Sequence, residues 1–412
     1  MKKSFIGFVF AFLCCILAGH TSMASSMILF LNDTFPKKEF KSLDIFPAIS
    51  YAPETSLTLG AIGIHYWDFA KGDLTTPLSS MQFVGVYTLK KQIIIESRWE
   101  FFGPASKWRT RGEAFFNRYP DRNYGIGNSA LAMVMEVDEG GEQDTLNYLN
   151  FDSDRIKFSP VVLRKIGKDL YLGLQYDMEY LYRMKITPMH YTYLNAEAEK
   201  IDDLPVEGIR SGVGLQLLFD NRDFVLNPLH GTLAELNVIN YNGLIGSDYA
   251  FTMVKLDARH YINTIKNQVL ALRTIGSFEF TNEKIPMRAL SRVGGHNFMR
   301  GYFKGTYQDH HMAAFELEYR LPLWKENTSA PLWKVWKRTG FAGFIGAAQV
   351  FRDTEDFHLD EFNLAAGAGL RILFNTQSRV CLRIDYAIGL SKGSNGFDDR
   401  QSGFYFYLGE AF

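Results

Sequence analysis

Three absences narrow what this chain can be. Of its three cysteines, Cys14 and Cys15 lie near the start and only Cys381 stands in the body of the chain. One cysteine makes no internal disulfide, which excludes a small stapled extracellular scaffold. The net charge is −1, which excludes the basic surface a nucleic-acid partner needs. Past the opening residues, no apolar run approaches the ~20 residues of a membrane-spanning helix. Chemical motifs are also missing: no G-x-S-x-G, no metal-ligand spacing and no glycine-rich phosphate loop appears. No catalytic residue, cofactor or metal is therefore expected. His310-His311 do not change this, because neighbours on a strand point to opposite faces.

What the chain does have begins with MKKSFIGFVFAFLCCILAGHTSMASS. Lys2 and Lys3 precede an apolar run from Phe5 to Ala18, and Ser22-Met23-Ala24 is a small-x-small cleavage site. Residues 1–24 read as a secretory signal peptide, which takes Cys14 and Cys15 with it. The full sequence holds 34 Phe, 21 Tyr and 35 Gly. An exported chain rich in aromatics, without disulfide or hydrophobic helix, is either a large soluble β-protein or a transmembrane β-barrel.

Period two runs through the rest. In Ala313–Leu321, Phe315, Leu317, Tyr319 and Leu321 share one face, while Ala314, Glu316, Glu318 and Arg320 share the other. Val380, Leu382, Ile384 and Tyr386 oppose Cys381, Arg383, Asp385 and Ala387 in the same way. Each run is close to the ~9–11 residues that cross a bilayer at a tilt. Sixteen strands are predicted, beginning near Ile45, Leu57, Ser80, Gln92, Trp108, Asn150, Leu170, Gly208, Thr232, Ala250, Gln268, His311, Gly340, Asn363, Arg379 and Ser402. The even number is the one bacterial barrels favour. The expected organisation is a short N-terminal periplasmic segment over 25–43 and one barrel over 44–412. The chain ends FYFYLGEAF, with Phe404, Phe406, Leu408 and Phe412 expected on one face as a C-terminal assembly signal.

Several separated stretches then resemble one family. Asp220, Arg222 and Asp223, followed by Pro228 and Gly231, resemble the D-x-R-D…P-x-x-G strand-turn element of the BamA/TamA family of bacterial surface antigens. Gly294, Gly295, Met299, Arg300, Gly301 and Tyr302 resemble its GG…(V/L)RG(F/Y) loop. Gly367-x-Gly-Leu-Arg371, Leu382–Ala387 and the aromatic end match its late strands in order. The resemblance implies an all-β fold: a sixteen-stranded antiparallel transmembrane β-barrel in the bacterial outer membrane, with an extracellular loop inserted into the lumen.

Two departures stand out. Where the family has an inward acid in F-x-D-x-G, this chain has Gly346. The segment before the first strand is too short for a periplasmic POTRA domain, which needs ~50 residues or more.

A lumen-buried Arg300 needs carboxylate partners. Asp385 is expected first, then Glu316 and Glu318, with Gly346, Gly367 and Gly369 leaving room for the loop backbone. In the strand-turn element, Asp220 and Asp223 are both expected to pair with Arg222. Pro47 and Pro53 mark the first strand as a weak partner for the last. The resemblance implies a role in outer-membrane protein or lipid handling or membrane integrity, without a periplasmic arm of its own. A passive pore or small-solute channel is the alternative, and an outer-membrane enzyme a more distant one. Expected partners are outer-membrane lipid and lipopolysaccharide, a separate periplasmic protein or a second copy, and the barrel assembly machinery for its own insertion.

Overall fold

The computed structural model describes residues 42–412 apart from 53–55, 70–72, 74–75, 129–133, 138–142, 147, 188–190, 194–206, 226, 266, 325–334, 376–378 and 392–399. The expected signal peptide, and most of the expected segment over 25–43, lie outside the described residues.

One antiparallel sheet dominates, with its sixteen strands hydrogen-bonded in chain order. They are β1 (Leu43–Ala52), β2 (Ser56–Trp67), β3 (Ser79–Thr88), β4 (Ile93–Phe102), β5 (Trp108–Asn123), β6 (Leu149–Gly167), β7 (Leu170–Thr187) and β8 (Gly208–Asp220). The second half comprises β9 (Gly231–Tyr241), β10 (Phe251–Asn263), β11 (Val269–Phe280), β12 (His311–Pro322), β13 (Thr339–Phe351), β14 (Asn363–Asn375), β15 (Val380–Gly389) and β16 (Ser402–Leu408). Every strand starts within two residues of a start read from the alternation. The reason is local: each polar, Gly- or Pro-bearing connection interrupts the period, and the next run resumes it. No helix of the described residues is long and apolar enough to cross a membrane.

Because all neighbours are antiparallel, connections alternate between two ends. The β5–β6, β7–β8, β11–β12 and β15–β16 connections share one end, called here the loop end. The tight Lys168-Asp169 turn and the Asn221–His230 turn lie at the other, the turn end. β5, β6 and β7 are the longest strands, at 16, 19 and 18 residues. Two small sheets belong to the connections, one of them pairing Ser291–Val293 with Tyr307–Asp309.

The sheet curves strongly. Arg111 on β5 meets Glu235 on β9 at 2.8 Å, although four strand spacings amount to about 19 Å along a sheet. Arg109 on β5 likewise reaches Asp220 on β8. The concave face therefore brings distant strands together. β1 and β16 run beside each other, but no hydrogen-bonded ladder joins them among the described residues.

Burial is inverted relative to a water-soluble protein. Leu174 is 70% exposed and Ile345 58% on the convex face, while Glu318 and Asp385 are 0% exposed on the concave one. A soluble sandwich would bury the first pair and solvate the second. The alternation found in the sequence is thus apolar-out and charged-in.

Candidate functional site

The β11–β12 connection builds the most elaborate arrangement on the concave face. Its two short strands form a hairpin, with Gly305 N–H donating to the Val293 carbonyl. At the tip the chain folds tightly: Gly295 N–H donates to Tyr302 O, and Tyr302 N–H to Met299 O. Met299 takes φ 49° and Gly301 φ 110°. A Cβ on Gly301 would lie 2.6 Å from the Ile388 carbonyl carbon, so only glycine lets the tip lie against β15.

Arg300 projects from this tip with 1% exposure. Its Nη1 donates to Asp385 Oδ2 at 2.5 Å and its Nη2 to Glu318 Oε2 at 2.6 Å. The guanidinium carbon stacks 3.4 Å from the Phe344 ring centroid, where the ring's negative face attracts the cation. The same two acids also serve Arg371 on β14, through 2.5 Å to Asp385 Oδ1 and 3.3 Å to Glu318 Oε2. Arg371 Nε reaches Glu410 at 2.8 Å, and Arg320 donates to Glu318 Oε1 at 2.7 Å. Arg383 donates to the His296 carbonyl at 2.8 Å and lies 3.4 Å from Asp385. Four guanidiniums thus share three carboxylates in a dry volume, where an unpaired charge is costly.

The loop also grips the last strands. Gly301 N–H donates to the Tyr405 hydroxyl at 3.2 Å, and Phe303 N–H to Gln401 Oε1 at 2.7 Å. The Tyr302 hydroxyl donates to Leu364 O, and the His296 ring stacks on Tyr407 at 4.4 Å. Burial, reinforced by the nearby Arg383 charge, pushes the His296 imidazole down to about 3. This loop residue is therefore neutral across the ordinary pH range.

Several expected contacts are placed differently. Glu316 does not meet the Arg300 guanidinium. It accepts from Met299 N–H at 2.9 Å and faces Arg273 at 3.7 Å. Gly346 admits no backbone: its missing side chain makes room for Met299, whose sulfur would sit 2.7 Å from a Cβ there. The space at Gly367 is taken by the Phe344 ring, and that at Gly369 by the Asp385 carboxylate.

In the strand-turn element, Asp220 binds Arg222 through both oxygens, at 2.9 and 3.0 Å, and also Arg109. Asp223 does not join them. It accepts from Leu229 and His230 N–H and pairs with Arg379 at 3.1 Å, tying the β8–β9 turn to the β14–β15 connection. Pro228 and Gly231, the latter at φ 109°, lie within and at the end of that turn. At the chain end Phe404 is exposed on the convex face, but Phe412 is not on that face. Gly409 at φ 104° turns the chain, and Phe412 packs against Tyr261, Val269 and Ala271. Its main-chain oxygen accepts from Arg320 at 2.6 Å. The side chain of Leu408 lies outside what is described.

Sequence reasoning passed over Arg371, Arg383, Glu410, Gln401, Tyr405 and Tyr407 as members of this site. Parity was the available signal, since Arg371, Arg383 and Tyr405 fall on the concave side of their strands. Among the described residues no group of His, Cys, Asp and Glu is placed to hold a metal.

Residues 84–412 match the model of the Omp85 superfamily domain. No curated protein matches the chain. Among solved structures, BamA from Haemophilus ducreyi lacking POTRA domains 1–3 is similar at 15% identity and TM-score 0.54, over 90% of this chain and 71% of that one. CdiB from Escherichia coli is similar at 10% identity and TM-score 0.56, over 89% of this chain and 63% of that one. CdiB from Acinetobacter baumannii is similar at 11% identity and TM-score 0.52, over 89% of this chain and 60% of that one. At such identities the likeness is one of fold.

Proposed function

From the premise that this chain belongs to the Omp85 superfamily of bacterial outer-membrane β-barrel proteins, we propose that its sixteen strands close into a barrel through a deliberately weak β1–β16 seam. Through that seam it acts on other outer-membrane components, protein or lipid. The superfamily inserts or moves molecules rather than transforming them.

One observation carries the proposal. β1 and β16 lie side by side without a ladder, while the terminal strand is held from inside by Gly301, Phe303 and His296 of the loop. An edge left unpaired is a template for another strand or a local disturbance of the bilayer. The Arg300 tip would then act as the fixed point against which β14–β16 are set. The lumen loop motif, its acid partners, the Asp220–Gly231 element and the aromatic chain end have structural, positioning roles in this reading. Outer-membrane lipid and lipopolysaccharide bathe the convex face, and a periplasmic partner or a second copy would deliver what the seam acts on.

The test joins β1 to β16 by a pair of introduced cysteines in a Cys381→Ala background. Depletion of the protein should alter the outer-membrane proteome or surface lipid, and the cysteine variant should restore both only when reduced. Full restoration by the oxidised, cross-linked protein would remove the seam from the mechanism.

A further inference from the structure

The convex face changes character along its height. On β6 the outward residues Ile156, Phe158, Pro160 and Val162 are apolar, and Ile156, Phe158 and Val162 are exposed. Charge bounds this stretch at each end. Asp154 lies toward the loop end, and Arg164, its guanidinium carbon 5.7 Å from the Trp108 ring centroid, toward the turn end. The ten positions from Asp154 to Arg164 span about 25 Å on a tilted strand, the height of the apolar band of an outer-membrane barrel. Asp154 therefore sits where acyl chains give way to headgroups. The long connections mark its end of the sheet as the extracellular one.

Two arginines meet there. Arg118 on β5, directly across from Asp154, donates to its carboxylate through Nε at 2.9 Å and Nη2 at 3.2 Å. Arg183 on β7 donates through Nη2 to the same carboxylate. That carboxylate is 5% exposed between them, whereas Arg118 is 48% and Arg183 62% exposed. Arg118 Nη1, and Arg183 Nε and Nη1, have no partner among the described residues. One anion neutralises one of the two cations, so a positive charge and unused donors face outward.

The backbone is bent to bring the second arginine out. Alternation from Tyr182 would aim Arg183 into the lumen. Instead the register slips: Asp154 pairs with Tyr182 but Asp152 with Lys185, and Arg183 in the bulge takes φ 54°. Positive φ is unfavourable for a residue with a side chain, and a bulge is the device that re-aims one. Tyr182 supports the swung-out guanidinium at 5.3 Å and is itself stacked on Tyr180 at 4.8 Å. The same slip sets Lys185 on the outward face, exposed, opposite Asp152. A plain ion pair would need Arg118 alone.

We infer that Arg118, Arg183 and Lys185 form a binding site for the phosphate of an outer-leaflet glycolipid, the phosphorylated disaccharide of lipopolysaccharide. Asp154 fixes both guanidiniums by their inner edges, and their outer N–H groups present the fork that phosphate oxygens match bidentately. Ile156, Phe158 and Tyr180 just below supply exposed surface for the acyl chains of the same molecule. That juxtaposition favours a lipid over a soluble anion. The site stands on β5–β7, away from the β1–β16 seam, so its test is independent of the seam's.

The experiment measures binding of bis-phosphorylated lipid A to the folded, detergent-solubilised protein by native mass spectrometry, with heat-modifiable gel migration verifying the fold of every variant. The unsubstituted protein should hold this lipid about tenfold more tightly than its dephosphorylated form. Arg183→Gln with Lys185→Gln leaves the Arg118–Asp154 pair in place, so the sheet stays folded, and should weaken binding about tenfold. Adding Arg118→Gln should bring it to the level of the dephosphorylated lipid. Arg164→Gln, at the turn end, should change nothing. Excess inorganic phosphate should not compete; full displacement by it would make this a free-phosphate site and strike the lipid assignment. Equal retention of the two lipids, undiminished binding by the folded Arg183→Gln, Lys185→Gln protein, or loss on Arg164→Gln would overturn the proposal.

Discussion

Two ion pairs on the same concave face show how differently its halves are built. Arg300 meets Asp385 and Lys157 meets Glu113, each at 2.5 Å. The first pair is 1% and 0% exposed, the second 20% and 30%. Distance is equal, but surroundings are not. In the dry late half each charge depends on its partner, since water cannot replace a lost contact. In the early half water can, and the Coulomb attraction is correspondingly screened. The late site is therefore a rigid fixture for the loop and terminal strand, whereas the Lys157–Glu113 pair is a tolerant, solvated contact on an early wall that also holds buried charges such as Arg109, Asp177 and Glu179.

The sharpest way to break this contrast is Asp385→Ala. It strands Arg300, Arg371 and Arg383 around Glu318 and Glu410, and should cost about 3–5 kcal/mol, read as a lower denaturant midpoint of the refolded protein. Gly301→Ala comes next. Its φ of 110° and the contact with Ile388 predict a loss of about 1–3 kcal/mol, with the loop tip becoming accessible to protease while the strands stay protected. Gly346→Asp restores the acid found in the family, yet it should destabilise by about 1–3 kcal/mol through overpacking against Met299. A gain in stability there would mean the Met299 side chain has another place to go. Glu113→Gln should be the mildest, about 0.2–1 kcal/mol and smaller still at high salt.

Legibility in the sequence followed the range of the interaction. Strand starts were readable because period two and turn residues are local, as at Trp108, Leu170, Gly208 and Asn363. Arg300 was readable as a buried cation only through the resemblance of its loop to the family motif, and Asp385 and Glu318 from parity. Glu316 shares that parity and still binds the loop backbone, because parity selects a face and not a height along it. The Asp223–Arg379 pair spans 156 positions, and no local pattern could announce it. Gly346 looked like a missing partner, whereas it is a complement to Met299; that relation exists only after β13 and the loop are brought together. Phe412 continues the even positions of β16, but the turn at Gly409 redirects it.

The loop arginine and its acids form a mutually dependent, water-free unit, whereas Lys157 and Glu113 do not. A pair of double-mutant cycles, Arg300 with Asp385 and Lys157 with Glu113, measured by reversible unfolding in lipid, tests it most directly. The account predicts a coupling of about 1–3 kcal/mol for the first pair, unchanged by salt, and below about 0.5 kcal/mol for the second. Equal couplings, or a salt-sensitive coupling between Arg300 and Asp385, would contradict it.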